Sequence, residues 1–363
     1  MAVGVLAVLV LVIGSALAGH DEDRSAGPGA RAERAARGLP LREQLGELML
    51  TRFAGASAPA YVKRVLHDRR AAGVTLFTDN AKSPAQLRAL TREIQAAARG
   101  EALVAVDQEG GAASRLPWLH APGQPTLATP TAAASASRST ARALRGVGVN
   151  LNLAPVADVS GGAGGAVAGR SFPGDSRSVA ALTAAAVRAY RGTHVAPTPK
   201  HFPGFGRATA NTDDAKVTIG ASRADLAGDL APFRAGIAAG APAVMVSHAL
   251  YPAYDRAWIA SQSRAIVTGV LRGELHFRGV VATDSMEAEA VVGRSSLQDA
   301  AVYAIYAGCD LLVLTGRGSQ RLVYERLLAE ARRSPEFRRR VEESARRVLA
   351  LKRALGRRTP PAR

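Results

Sequence analysis

A single cysteine, Cys309, stands in a chain of 363 residues. One thiol cannot build an internal disulfide framework, and it excludes a zinc site made from cysteines. Cys309 falls in the apolar run Cys309-Asp-Leu-Leu-Val-Leu314, where a buried structural thiol is expected rather than a nucleophile. Aromatic residues are scarce, at 5%. Lysine is scarcer: Lys63, Lys82, Lys200, Lys216 and Lys352 are the only ones, and the other 42 of the 47 basic residues are arginine. The net charge of +17 would suit a nucleic-acid binder, but its placement argues against that. Residues 331–363 hold 12 Lys and Arg against Glu336, Glu342 and Glu343, a net of +9. Nucleic-acid binders concentrate charge on one face with interleaved aromatics. An excess gathered at one end reads as a solvated, arginine-rich helix, and no nucleic-acid partner is expected.

Several motifs are also missing. No Gly-x-Gly-x-x-Gly follows a first strand, and no phosphate loop ending in Lys-Ser/Thr occurs. There is no Gly-x-Ser-x-Gly elbow for a serine nucleophile. His201 and His248 are not spaced as a metal-ligating pair, so neither a metal nor a cofactor is expected.

With 47% hydrophobic and 21% charged residues, the chain has the composition of a packed domain rather than a disordered one. Residues 1–19 carry no charge and end in Ala16-Leu17-Ala18, which fits a signal peptide with small residues at its cleavage site. A positive leading segment is lacking, so an uncleaved anchor is the alternative, although the apolar core is only about 14 residues against the roughly 20 that a span needs. Export to the cell envelope or beyond is expected. Residues 20–39, rich in Gly, Ala and Arg, read as a linker.

From residue 40, short apolar runs alternate with amphipathic stretches. The runs are Leu45–Phe53, Gly73–Phe77, Ala102–Val106, Val149–Val156, Val195–Lys200, Ala243–His248, Gly279–Thr283 and Leu311–Leu314. Helical patterns cover Ser83–Arg99, Ser176–Gly192, Ser222–Ala239 and Ser296–Ala307, and a last one, Glu336–Leu355, would close the outer ring. Continuously apolar strands alternating with helices predict a parallel sheet covered on both faces. Eight such units fit one (β/α)8 barrel over residues 40–356, followed by a basic tail, 357–363. A doubly wound open sheet is the alternative.

A barrel places its chemistry where strands end. The polar groups at those ends are Asp107 with Arg115 close behind, Asn152 to Asp158, Lys200-His201, Ser247-His248 and Asp284. Burying so many ionisable groups is costly without partners or a ligand, so they point to a polar small-molecule site at one mouth. Carboxylates and fixed cations without a metal suit a polyhydroxylated substrate. Retaining glycosidases use one carboxylate as nucleophile and a second as acid/base about 5 Å away.

Val106-Asp-Gln-Glu-Gly-Gly111, Asn152-Leu-Ala-Pro-Val-Ala-Asp158, Arg170-Ser-Phe172, Lys200-His-Phe-Pro-Gly204, Val244-Met-Val-Ser-His248 and Val281-Ala-Thr-Asp284 stand in order along the chain. Together they resemble glycoside hydrolase family 3, and the single-domain length is similar to its bacterial β-N-acetylglucosaminidase branch. The resemblance runs from about Leu41 to Gly356. It implies that Asp284 is the nucleophile of a retaining hydrolase of β-linked sugars, forming a covalent glycosyl-enzyme. The substrate it implies is terminal N-acetylglucosamine of cell-wall material. It further implies that Asp107, Arg115, Arg170, Lys200 and His201 bind sugar. Read without the resemblance, Asp284 would suit a helix N-cap and His201 a core histidine.

One motif departs from the family. In the β-N-acetylglucosaminidase branch the acid/base is a histidine on the loop after strand five, oriented by an aspartate two residues earlier, in the pattern Lys-His-Phe-Pro-Gly-His-Gly, a spacer, then Asp-Ser-His. Here Phe205 replaces the second histidine, and Asn211 and Asp213 occupy the dyad positions. Three readings follow. Asp213, or Asp214, supplies the proton as a carboxylic acid with a raised pKa. Alternatively the protein binds sugar but hydrolyses slowly, or only with good leaving groups. In the third, Phe205 and Arg207 reshape the mouth for another glycan, Arg207 favouring an acidic group. Without catalysis, Asn211-Thr-Asp-Asp214 is an Asx-rich turn. Anionic cell-envelope polymers are a further expected partner for the basic C-terminal residues.

Overall fold

The computed structural model describes residues 38–356 apart from residue 163. The expected leader, most of the linker and the basic tail lie outside the described residues. Eight short strands, β1 Met49–Thr51, β2 Gly73–Leu76, β3 Leu103–Val106, β4 Leu151–Asn152, β5 Ala196–Pro197, β6 Ala243–Val246, β7 Val280–Ser285 and β8 Leu311–Val313, coincide with the eight apolar runs. They pair in parallel in the order 5-4-3-2-1-8-7-6.

The seam between β5 and β6 is closed by main chain beyond β5. Met245 N donates to Pro199 O (3.0 Å), Phe202 N to Met245 O (2.8 Å) and Ser247 N to Phe202 O (2.9 Å). Pro197 and Pro199 have no N–H for a ladder, so regular pairing at β5 stops early and the loop completes it. A cyclic order of eight parallel strands is a (β/α)8 barrel and excludes the open, doubly wound sheet.

Among the described residues the α-helices include α1 Leu41–Gly46, α2 Ala60–His67, α3 Pro84–Ala97, α4 Pro130–Gly146, α5 Ser176–Ala189, α6 Arg223–Asp229, α7 Ala231–Ala238, α8 Glu289–Val292, α9 Leu297–Ala307, α10 Ser319–Arg333 and α11 Pro335–Gly356. A π-helical turn, Ala265–Glu274, precedes β7. Ser83, Ser222 and Ser296 accept the N–H three residues on and cap their helices. The stretch Ser222–Ala239 is two helices rather than the one expected. The break falls at Leu230, where Pro232 enters the first turn of α7 and cannot donate back into α6.

Strand side chains alternate as a period of two requires. Leu103 and Ala105 of β3 face the barrel interior, whereas Val104 and Val106 pack outward with Leu87, Leu90 and Ile94 of α3. The interior cluster also contains Val348 and Leu351 of α11. That helix therefore plugs the base of the barrel as well as completing the outer ring. Cys309 is fully buried, and burial pushes its thiol up to about 12, so it is structural, as its apolar run implied.

Candidate active site

A cavity of about 520 Å³ opens at the C-terminal ends of the strands. Asp107 reaches it from the end of β3, Arg170 from the loop after β4, Lys200 and His201 from beyond β5, Ser247 from β6 and Asp284 from β7. Arg115 and Asp213 also line it. All seven expected site residues thus meet at one mouth.

Lys200 is the organising cation. Its Nζ lies 2.6 Å from Asp107 Oδ1 and 2.6 Å from Glu109 Oε1, and its side chain is only 3% exposed. Glu109 also holds Arg170 in a two-pronged bond, at 2.8 Å to Nε and 2.7 Å to Nη2. Burial pushes the Glu109 carboxyl up, but Lys200 and Arg170 outweigh it and hold the group well below the usual carboxylate range. Burial likewise disfavours charged Lys200, and Asp107 and Glu109 more than offset it, so the ammonium persists above the ordinary lysine range. Two fixed cations and an acceptor, Asp107, are presented to the cavity without conformational freedom.

His201 is held from behind. Its Nδ1 is 2.7 Å from Asp158 Oδ2, and Asp158 Oδ1 accepts the main-chain N–H groups of His201 (3.0 Å) and Phe205 (2.7 Å). Asp158 is fully buried, so it pins the loop rather than facing the mouth. Two loop glycines allow this packing. A Cβ on Gly206 would meet Val159 O at 1.7 Å, and Gly204 adopts φ +127° against Asp229. With Nδ1 engaged, Nε2 turns to the cavity, 3.8 Å from Asp284 Oδ2.

Asp284 is not a helix cap, because α8 begins at Glu289 with Ala288 before it. Its side chain is 28% exposed. Burial alone would raise its pKa, but His201, His248 and Lys200 overcome that and hold it below the ordinary value. An ionised carboxylate therefore stands ready in the mouth. Asp213 shows the opposite shift. Burial, then the charge of Asp284, raises it, against a lowering contribution from Asn211. Asn211 Nδ2 donates to Asp213 Oδ2 (3.2 Å), and Asn211 Oδ1 accepts from Asp213 N (3.2 Å). That second bond is an Asx turn, yet the turn holds Asp213 on the cavity wall. The loop is tied down where Glu289 N donates to Asp213 O (3.1 Å) and Ala290 N to Thr212 O (3.1 Å).

The profile of the glycosyl hydrolase family 3 N-terminal domain matches residues 40–351. A β-hexosaminidase of Xanthomonas oryzae pv. oryzae is 35% identical over 286 residues, covering 74% of this chain and 83% of that protein. The structure of a family 3 β-N-acetylglucosaminidase from Paenibacillus sp. str. FPU-7 superposes with TM-score 0.85 at 34% identity, covering 89% of this chain and 64% of that one. A β-N-acetylhexosaminidase from Beutenbergia cavernae DSM 12333 superposes with TM-score 0.80 at 33% identity, covering 86% of this chain and 98% of that one. The chain belongs to glycosyl hydrolase family 3. Membership makes it a glycosidase, an enzyme that hydrolyses O-glycosyl bonds.

Phe205 and Arg207, both after strand five, take different places. Phe205 is buried at the mouth and meets the edge of the His201 ring, with centroids 5.8 Å apart. Arg207 does not line the mouth, which counts against its part in the third reading of this loop. Its Nε bonds Asp229 Oδ2 at 2.7 Å and its Nη2 bonds Asp225 O at 3.3 Å, on the outside of the loop. His248 is also removed from the surface, fully buried with Nδ1 2.8 Å from Ser261 Oγ.

Three charged cavity residues were not singled out from sequence. Glu109 lies within the quoted Asp107-Gln-Glu-Gly-Gly111 motif but two positions from the aspartate that drew attention. Arg52 follows β1 and stacks over Phe77 at 4.2 Å, with Arg115 at 5.6 Å from the same ring. Glu287, three residues past Asp284, accepts from Thr315 N and Oγ1 at 2.8 and 2.9 Å. The ladder that puts β8 between β1 and β7 brings Arg52 and Glu287 to the same mouth, whereas Glu109 is placed by Lys200 and Arg170.

Proposed function

We propose that this family 3 glycosidase is a retaining hydrolase of terminal β-linked N-acetylhexosamine in cell-wall glycan, with Asp284 as nucleophile and Asp213 as acid/base. The observation that carries the assignment is the opposed pair of carboxyl groups in one cavity, Asp284 shifted down and Asp213 shifted up. Pairs whose environments drive their pKa values apart divide the nucleophilic and acid roles. The β-hexosaminidase and β-N-acetylglucosaminidase relatives support the choice of sugar. The apolar leader ending in Ala16-Leu17-Ala18 supports export, which would bring the enzyme to that substrate.

In the first step the Asp284 carboxylate attacks the anomeric carbon. The bond from that carbon to the leaving oxygen breaks as Asp213 gives the oxygen its proton. In the second step Asp213, now a carboxylate, takes a proton from water. The hydroxide so generated attacks the anomeric carbon and releases Asp284, and Asp213 is again protonated. Asp107, Lys200, Arg115 and Arg170 hold ring hydroxyls. His201, fixed by Asp158, keeps Asp284 ionised between turnovers.

Trapping with an activated fluorosugar tests the reading. Peptide mass spectrometry is expected to find a glycosyl adduct on Asp284 and none in Asp284→Asn. An adduct on another residue, or normal turnover by Asp284→Asn, overturns it.

A further inference from the structure

A second polar cavity, of about 330 Å³, lies away from the mouth, beside the base of the barrel. It is formed by the π-helical turn Ala265–Glu274, the end of α9 and the first half of α11. Its position is fixed by Arg272, which bonds the carbonyls of Phe277 (3.4 Å) and Gly279 (3.3 Å) just before β7 and of Gly308 (3.2 Å) just before β8. These are the N-terminal ends of the strands, opposite the catalytic mouth.

The charge there does not balance. Arg264, Arg272, Arg339, Arg340 and Arg347 line the cavity with Glu336 and Glu343, and Asp310 is buried behind them. Five guanidinium groups face three carboxylates. Asp310 is shared by Arg272 Nη2 at 2.6 Å, Arg347 Nη1 at 3.0 Å and Arg340 Nη2 at 3.5 Å. Glu343 pairs with Arg340 Nη1 at 2.5 Å and Arg347 Nη2 at 3.9 Å, Glu336 lies 3.8 Å from Arg264 Nη1, and Arg339 adds a further positive charge. Residues 336, 339, 340, 343 and 347 share one face of α11 through its three- and four-residue spacing, so the arginines cannot separate without unwinding the helix.

Arg272 is 9% exposed, and its Nε has no acceptor among the described residues. A buried donor on a cation left unpaired is costly. Burial and the neighbouring Arg347 and Arg340 also make the charged form of Arg272 less favourable than usual, despite Asp310. An anion bound in the cavity would supply negative charge beside Arg272, Arg340 and Arg347 and so relieve the second penalty.

We propose that this arginine-walled cavity is a binding site for a phosphate-type oxyanion, separate from the glycosidase site. Guanidinium groups recognise tetrahedral oxyanions through paired, charge-assisted hydrogen bonds. Free phosphate and the phosphodiester of an anionic polymer present the same chemistry.

The test uses the full chain and two rim variants, Arg264→Gln and Arg339→Gln, whose side chains are exposed and outside the catalytic mouth. Calorimetry with inorganic phosphate, at ionic strength matched with sodium chloride, is expected to show saturable binding. The double variant should bind about tenfold or more weakly, while kcat and KM on an aryl glycoside stay unchanged. A short poly(glycerol phosphate) run in parallel distinguishes the sources. Tighter binding of the polymer assigns the site to a phosphodiester chain, and tighter binding of inorganic phosphate assigns it to the free ion. Thermal shift by phosphate no larger than by chloride, or unchanged phosphate affinity in the double variant, overturns the proposal.

Discussion

Glu109 and Lys200 meet at 2.6 Å behind the catalytic mouth, each almost wholly buried. Their contact links the segment after β3 to the loop after β5, and through Arg170 it reaches the loop after β4. Three strand ends are thereby locked in register around the position of a bound sugar.

Replacing Glu109 by Gln should break that lock. Leaving Lys200 and Arg170 short of a carboxylate is expected to cost about 3 kcal/mol of stability, read by denaturant unfolding at neutral pH. KM should rise with it, because Arg170 loses its orienting partner. The pH dependence gives a second readout. The folded pKa of Glu109 lies below its ordinary 4.5, so its contribution is complete above that pH and is lost as pH falls through the folded value. Wild-type stability should therefore decline with acid below about pH 4.5 more steeply than that of Glu109→Gln.

Asp284→Asn should lower kcat on an aryl β-N-acetylglucosaminide by about 10⁴-fold or more, as removal of a covalent nucleophile does. Substrate binding should survive, since Asp107, Lys200 and Arg170 are untouched. A competitive-inhibitor constant within severalfold of wild type, measured beside the lost turnover, separates this outcome from misfolding.

On the proposed roles, Asp213 and Asp284 should set opposite limbs of the pH profile. Activity should fall at acid pH as Asp284 gains a proton, below the ordinary aspartate range because its pKa is lowered. It should fall on the alkaline side as Asp213 loses its proton, above the ordinary range because its pKa is raised. In Asp213→Asn the alkaline limb of kcat/KM should vanish. The loss of rate should be about 10²–10⁴-fold on a disaccharide and far smaller on a substrate with a good leaving group. An alkaline limb that persists unchanged removes Asp213 from the acid role.

Installing the family's dyad provides a gain-of-function check. Asn211→Asp with Asp213→His restores the usual residues on a loop whose main chain is already anchored to α8 through Glu289 and Ala290. The double variant should retain activity and move its alkaline limb toward the histidine range, near pH 6.5, in a kcat/KM profile. Complete inactivity of a folded double variant would show that this loop does not deliver the proton.

The sequence by itself determined the barrel and most of the mouth. Eight apolar runs separated by helical periods leave little choice but a closed parallel sheet, and a barrel fixes which strand ends face the substrate. Asp107, Lys200, His201 and Asp284 were legible because each directly follows such a run. Glu109, Arg52 and Glu287 were not, since the groups they meet follow other strands, distant in sequence. The tertiary structure also decided direction, which linear position does not carry. It turned Asp158 and His248 into the packed interior, carried Arg207 outside to Asp229, and kept Asp213 on the wall of the cavity that Asp284 enters. It likewise placed the arginines of α11 around one buried carboxylate, where the sequence showed only a basic end. The physical reason is common to these cases. Spacing along a strand or helix fixes a face, but the partner that makes a buried charge tolerable is set by chain closure over tens to hundreds of residues.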